Sequence, residues 1–188
     1  DFDVVGFSLQ YELSITNVLN MLDLSGIPLW SKDRPNGCPL VIAGGPVVFN
    51  PEPFAEFFDA FLIGDGEEVT LEFLDCVYKN REMERNELLL KLAQIEGVYI
   101  PALYQVEYED DGTIKKMAPL VKEAPAKVRR RVIGDLDQAY YPDKPIVPYM
   151  DIVHDRAVLE VMRGCQRSCR FCHAGMVYRP VRERSVDT

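Results

Sequence analysis

The chain has 188 residues, 47% of them hydrophobic and 10% aromatic, an ordinary globular balance that suffices for one core or two small ones. No stretch approaches about 18 consecutive apolar residues and no secretory leader is visible, which argues against a membrane span and leads us to expect a cytoplasmic protein. The net charge of -9 is uneven: residues 1–150 hold 25 acidic and 14 basic side chains and residues 151–188 hold 5 and 7, so the larger part is ill suited to broad nonspecific binding of nucleic acid.

Phe2 to Leu9 is an apolar, β-branched run of the kind that forms a buried parallel strand. In the helical pattern that follows, Leu13, Ile15, Val18, Leu19 and Leu22 share one face, with Gly26 and Pro28 as stop signals. After a polar connection from Ser31 to Gly37, Pro39 to Pro46 reads as a second buried strand running into a glycine turn. Pro51 to Phe57 reads as a short helix. Ala60 to Ile63 reads as a third strand, ending in Gly64-Asp65-Gly66-Glu67-Glu68 and leading into a helix through about Lys79. Strands and helices alternating at these lengths predict an α/β fold with a parallel sheet, in which ligands bind beyond the carboxyl ends of the strands. Those ends carry Ser8, Gly44-Gly45 and Gly64-Asp65-Gly66-Glu67, and glycine lets backbone approach a ligand closely.

A serine after one strand, a glycine pair after the next and a Gly-Asp-Gly-Glu-Glu turn after the third together resemble the later half of a cobalamin-binding domain, over roughly residues 1–79. The resemblance implies a partial flavodoxin-like parallel sheet whose N-terminal half is missing. It also implies a corrinoid (cobalamin, B12) contacted by Ser8, Gly44, Gly45, Gly64, Asp65, Gly66 and Glu67. The Asp-x-His-x-x-Gly stretch that supplies the lower cobalt ligand in many such domains is absent; it would precede Asp1.

Glu82 to Ile95 is an amphipathic helical pattern with Leu88, Leu89, Leu92 and Ile95 facing inward. Leu103 to Tyr108 then alternates, Asp110-Asp111-Gly112-Thr113 is a turn, and Ile114 to Met117 returns, which predicts a β-hairpin. The basic run Lys127 to Arg131 is expected to be a solvated edge strand rather than a nucleic-acid contact. Gly134 to Tyr149, with Pro142, Pro145 and Pro148, reads as a semi-rigid linker, and His154 beyond it as a packed or solvated residue.

Ala157 to Arg163 is expected to be a strand, and a cysteine-rich loop, Gly164 to His173, leaves from its carboxyl end. Cys165, Cys169 and Cys172 stand at the spacing Cys-x3-Cys-x2-Cys. A tetrahedral zinc site needs four ligands, and the nearby fourth candidate, His173, adjoins Cys172, which makes good geometry at one ion difficult. Disulfide frameworks pair cysteines evenly in small secreted domains. Electron-transfer iron-sulfur proteins use four cysteines at other spacings, whereas three thiolates on a cubane leave one iron open to a substrate. Arg163, Arg167, Arg170, Arg179, Arg182 and Arg184 surround the cysteines, either to stabilise an anionic group or as surface ion pairs. Pro180 argues against a helix running through the loop, and Ser185 resembles a helix N-cap.

This spacing, with Phe171 just before the third cysteine, resembles the signature of the radical S-adenosylmethionine (radical SAM) superfamily. The resemblance implies a [4Fe-4S] cluster on Cys165, Cys169 and Cys172 whose unique iron chelates S-adenosylmethionine. It further implies reduction by a donor such as flavodoxin or ferredoxin and release of a 5'-deoxyadenosyl radical. Ala157 to Arg163 would then be the first strand of a partial TIM barrel, whose active sites form at the carboxyl ends of strands. Val153 to Glu160 and Ala174 to Ser185 resemble a bacterial group of cobalamin-type radical SAM proteins of unassigned substrate. A cobalamin-associated enzyme for methyl transfer or ring rearrangement is therefore expected. The alternatives are a cobalamin-binding or sensing module with vestigial radical chemistry, against which the intact triplet argues, and a tRNA methylthiotransferase-like enzyme. The latter carries three further cysteines in its N-terminal domain, where this chain has Cys38 and Cys76. The expected divisions are a partial cobalamin-binding-like domain at 1–97, a β-hairpin and linker at 98–150, and the start of the radical SAM core at 151–188. The chain reads as an internal piece of a longer protein, completed beyond both ends, and these 188 residues alone are expected to be inactive.

Overall fold

The computed structural model of the protein describes residues 2–153, 156 and 158–188, so His154 and Ala157 lie outside the described residues. The chain forms two compact units, Asp1–Val132 and Ile133–Thr188.

The first unit is a mixed α/β layer structure on a four-stranded sheet, β1 (Val4–Ser8), β2 (Leu40–Gly44), β3 (Ala60–Leu62) and β4 (Val98–Tyr99), in that spatial order. β1, β2 and β3 are parallel, with Ser8 opposite Gly44 and Ala43 opposite Phe61. The apolar run of β2 is buried on both faces, as a central parallel strand requires. Because side chains alternate along a strand, Leu40 and Ile42 enter one core while Val41 and Ala43 enter the other.

Helices α2 (Gly66–Lys79) and α3 (Arg85–Leu92) cover the first core. α2 presents Val69, Phe73 and Val77 at a spacing of four, which stacks them on one face. Helix α1 (Ile15–Leu24) contributes Val18 and Leu22 to the second core, with Phe54, Phe58 and Phe61. Gly26 ends α1 as expected: at φ 66° it lets Ile27 N–H donate to Leu22 O at 3.0 Å, while its own N–H donates to Asp23 O at 3.0 Å. Leu13 departs from expectation. It lies in a 3-10 turn, Glu12–Ser14, before α1 and is exposed, because the α-helical phase begins only at Ile15.

The sheet is not wholly parallel, since β4 runs antiparallel to β3. α2 leaves the carboxyl end of β3 and α3 returns the chain to it, where Ile63 N–H donates to Gly97 O at 2.7 Å. The next strand can then only run back down. Helix α3 is shorter than the pattern Glu82 to Ile95 predicts. Its start is set from a distance, by Asn36 Oδ1 accepting from Arg85 N–H at 3.1 Å.

The predicted hairpin is present as β5 (Tyr104–Tyr108) and β6 (Ile114–Pro119), and Asp111 Oδ1 accepts from Thr113 N–H at 2.9 Å in its turn. Lys127 to Arg131 is not an edge strand. Only Arg131 meets the sheet, through a single parallel bridge to Gly64 beyond the end of β3.

In the second unit, the part of the expected strand that is described, Val158 to Arg163, holds only β7 (Met162–Arg163), antiparallel to β8 (Arg182–Glu183). Val158, Leu159 and Val161 are exposed. A buried parallel strand needs a neighbour on each side. Among the described residues the only ladder partner is Arg182–Glu183, which returns in hairpin fashion from the cysteine loop.

Candidate functional site

The cysteine loop leaves β7 through Gly164 and closes on a one-turn helix, α4 (Ala174–Val177), so the thiols sit on turns rather than on a helix. Two glycines give the loop its shape. Gly164 has φ +96°, and a Cβ there would fall 2.7 Å from Tyr178 O and 2.8 Å from Pro180 O. Gly175 is buried, and a Cβ on it would meet Arg167 O at 2.5 Å. Each end of the loop is thus in close backbone contact with the other.

Within this frame Cys165 and Cys172 are half-buried and Cys169 is exposed, all three as free thiols. Cys165 Sγ accepts from Arg167 N–H at 3.4 Å, and Cys172 N–H donates to Cys169 O at 3.0 Å. His173 begins α4, its carbonyl accepting from Met176 and Val177. Among the described residues no three His, Cys, Asp or Glu side chains gather as ligands to one ion. A cluster differs from a single ion in giving each thiolate its own iron, so its ligands need not meet at one point.

The arginines divide into two groups. Arg163 holds Glu160 through Nε and Nη2 at 2.6 and 3.1 Å, and Arg184 reaches the same carboxylate at 2.9 Å. Arg184 also donates to the carbonyls of Leu136 and Ala139 and lies over the Tyr141 ring at 5.1 Å. Buried Arg182 donates to Ile133 O at 2.7 Å and Arg179 to Ser168 Oγ at 3.2 Å. These four bind the unit together. Arg167 and Arg170 are exposed beside the thiols, with no side-chain hydrogen bond or ion pair to another described residue.

The hydrogen bonds from Arg163, and then those from Arg184, hold the Glu160 carboxyl below its ordinary value of 4.5. A depressed carboxylate contributes stability that is complete above that ordinary value and is lost as pH falls through the folded one. Glu160→Gln should therefore lower the denaturation midpoint at pH 7 and lose that difference in strong acid. Equal deficits at both pH values would contradict the ion-pair account.

At the sheet, Ser8, Gly44, Gly45 and Gly64 lie at the carboxyl ends of β1, β2 and β3 as expected, but the close approaches go to the chain's own backbone. Gly45, at φ +101°, would place a Cβ 2.6 Å from Leu9 O; Gly64, at φ +112°, would place one 2.0 Å from Arg131 O. Arg131 N–H donates to Ile63 O at 2.8 Å and Asp65 N–H to Arg131 O at 2.9 Å, while the Arg131 guanidinium pairs with Glu68 and Glu72 of α2. Ser8 Oγ accepts from Gln10 at 3.0 Å. Asp65 precedes α2 in extended conformation, and Gly66 and Glu67 form its first turn. Gly64→Ala should cost about 1–3 kcal/mol through left-handed strain alone, and more through the clash with Arg131. An unchanged urea midpoint would contradict both the positive φ at Gly64 and the docking of Arg131 against it.

Two polar constellations escaped the sequence reading. Asp59 Oδ2 accepts from Arg34 Nη1 at 2.9 Å and from Val41 N–H at 2.7 Å, and its Oδ1 pairs with Arg85 at 2.8 Å. The signal was the lone charge in Phe57-Phe58-Asp59-Ala60-Phe61-Leu62. Burial pulls the Arg34 guanidinium below its usual range, against the attraction of Asp59. Elsewhere in the first unit the Tyr99 hydroxyl donates to Glu52 Oε1 at 2.5 Å, a pairing that no local pattern announces.

Among known proteins, the family model described as "Radical SAM proteins, N-terminal" matches residues 1–101, a span that ends well before Cys165. Along its whole length the chain is 31% identical to an uncharacterized protein of Methanocaldococcus jannaschii, over 191 aligned residues. It covers 33% of that relative.

Proposed function

Because this chain belongs to the family of radical SAM proteins, by its N-terminal region, we propose that its cysteine loop binds a [4Fe-4S] cluster through Cys165, Cys169 and Cys172 and that the complete protein is a radical SAM enzyme. The observation that carries this reading is the loop itself: three free thiols on turns, in a backbone closed at both ends by Gly164 and Gly175. Three soft thiolates suit an iron-sulfur group and leave one iron for S-adenosylmethionine. When bound, that pair supplies the chemistry, one electron cleaving the sulfonium to methionine and a 5'-deoxyadenosyl radical.

The chain's own residues have simpler tasks. Gly164 and Gly175 hold the loop in shape, and the bond from Arg179 to Ser168 ties its middle to the segment after α4. Arg167 and Arg170 place positive charge beside the cysteines, where it would offset the negative charge of an anionic cluster. The electron would come from an external donor of the flavodoxin or ferredoxin kind.

A corrinoid does not enter the proposed step. Gly45 and Gly64, where backbone would have to approach it, are already in contact with Leu9 and Arg131. Anaerobic reconstitution of the complete protein with iron and sulfide tests the main proposal, followed by assay for 5'-deoxyadenosine in the presence of S-adenosylmethionine and a reductant. A protein that takes up no cluster and forms no 5'-deoxyadenosine would overturn it.

No helix of the described residues is long and apolar enough to cross a membrane.

A further inference from the structure

Within the first unit a cavity of about 380 Å³ is lined by Glu52, Ile63, Tyr99, Tyr104, Ala126 and Lys127, among others. Its volume falls in the range of small-molecule sites, about 300–1,000 Å³. Its walls are mainly apolar and aromatic, and its polar groups are already oriented. Tyr99 is buried to 3% exposure, and its hydroxyl donates to Glu52 Oε1 at 2.5 Å. Burial, reinforced by that bond, pushes the Tyr99 phenol well above its ordinary range, so the proton stays on the tyrosine. Tyr104 donates to Pro125 O at 2.7 Å, and its ring lies 5.1 Å from that of Tyr99.

Both phenolic protons are therefore spent inside the protein. A guest is met by a carboxylate and by the half-buried ring of Tyr104, backed by that of Tyr99, a combination that attracts donors and cations. Among the described residues Lys127 is the other charged group lining the cavity; it is exposed, so its ammonium can turn to water or meet an anionic group on the guest.

We propose that this cavity is a binding site for an arylalkylamine, its ring against Tyr104 and its ammonium on Glu52. None of its lining residues belongs to the cysteine loop.

Tyramine is a suitable probe, with 4-ethylphenol as a neutral analogue of similar shape, each titrated into the protein while amide NMR shifts of Ile63, Tyr104 and Val128 are followed. Tyramine should bind about tenfold more tightly than 4-ethylphenol, the scale of one cation–π contact with a charge-assisted hydrogen bond. Glu52→Gln, which retains an acceptor for Tyr99, should abolish that preference. Ala126→Leu, at an exposed position, should weaken both probes by filling the cavity. Equal affinities for the two probes, a preference that survives Glu52→Gln, or shifts that avoid these amides would each overturn the proposal.

Discussion

Cys169→Ala should leave the complete, reconstituted protein unable to form 5'-deoxyadenosine, a loss of about 100-fold or more. Cys169 is the exposed member of the triplet, so its removal takes away a thiol without opening a cavity in either core. A fall in activity would then report on the ligand rather than on folding. Cys165→Ala and Cys172→Ala should have the same effect, because each thiolate would hold a different iron. Cys38 and Cys76 supply the contrast. Cys76 packs against the core under α2, and Cys38 lies in the connection before β2, where its carbonyl accepts from Arg85 at 3.0 Å. Alanine at either should leave product formation intact. Product formation at the wild-type rate in Cys169→Ala would remove the cluster assignment.

Asp59→Ala should destabilise the protein by about 3–5 kcal/mol, the usual cost of stripping one partner from a buried charge network. The side chains of Arg34 and Asp59 are 0% and 2% exposed and that of Arg85 is 11% exposed, so little water is at hand to replace the carboxylate. Arg34 also donates to the carbonyls of Pro28, Leu29 and Phe57, and Arg85 to those of Cys38 and Pro39. The carboxylate therefore links the loop before β2, the start of β3 and the start of α3. Against a total stability of about 5–15 kcal/mol for an ordinary domain, a loss of this size is a large fraction. Chemical denaturation of wild type and variant measures it. Replacing all three residues by apolar ones of similar volume should recover part of the loss, since an unpaired buried charge costs more than an absent pair. A change in unfolding free energy below about 1 kcal/mol for Asp59→Ala would show that the network does not carry this load.

Much of this protein is legible in local pattern. The apolar runs Val4–Ser8, Leu40–Gly44 and Ala60–Leu62 become parallel strands because an unbroken apolar segment of strand length can satisfy both its faces only inside a layered sheet. Gly26 stops α1 and Asp111 shapes the hairpin turn through hydrogen bonds that span a few residues, which is why neighbouring residues suffice to forecast them. The cysteine spacing is likewise a property of the chain alone.

What the sequence could not determine depends on partners far along the chain. The direction of β4 follows from two helices that return the chain to the end of β3, and the start of α3 from Asn36, which lies 49 residues before Arg85. Gly64 announces a close approach in any reading, but only the fold shows that Arg131 backbone lies against it. The arginines around the cysteines look alike in sequence. Tertiary structure assigns Arg182 and Arg184 to carbonyls 45 to 49 residues away and leaves Arg167 and Arg170 exposed beside the thiols. The reason is common to all of these cases: periodicity and turn chemistry act over a few residues, whereas a buried charge or a positive-φ glycine is satisfied by whatever backbone the fold brings against it.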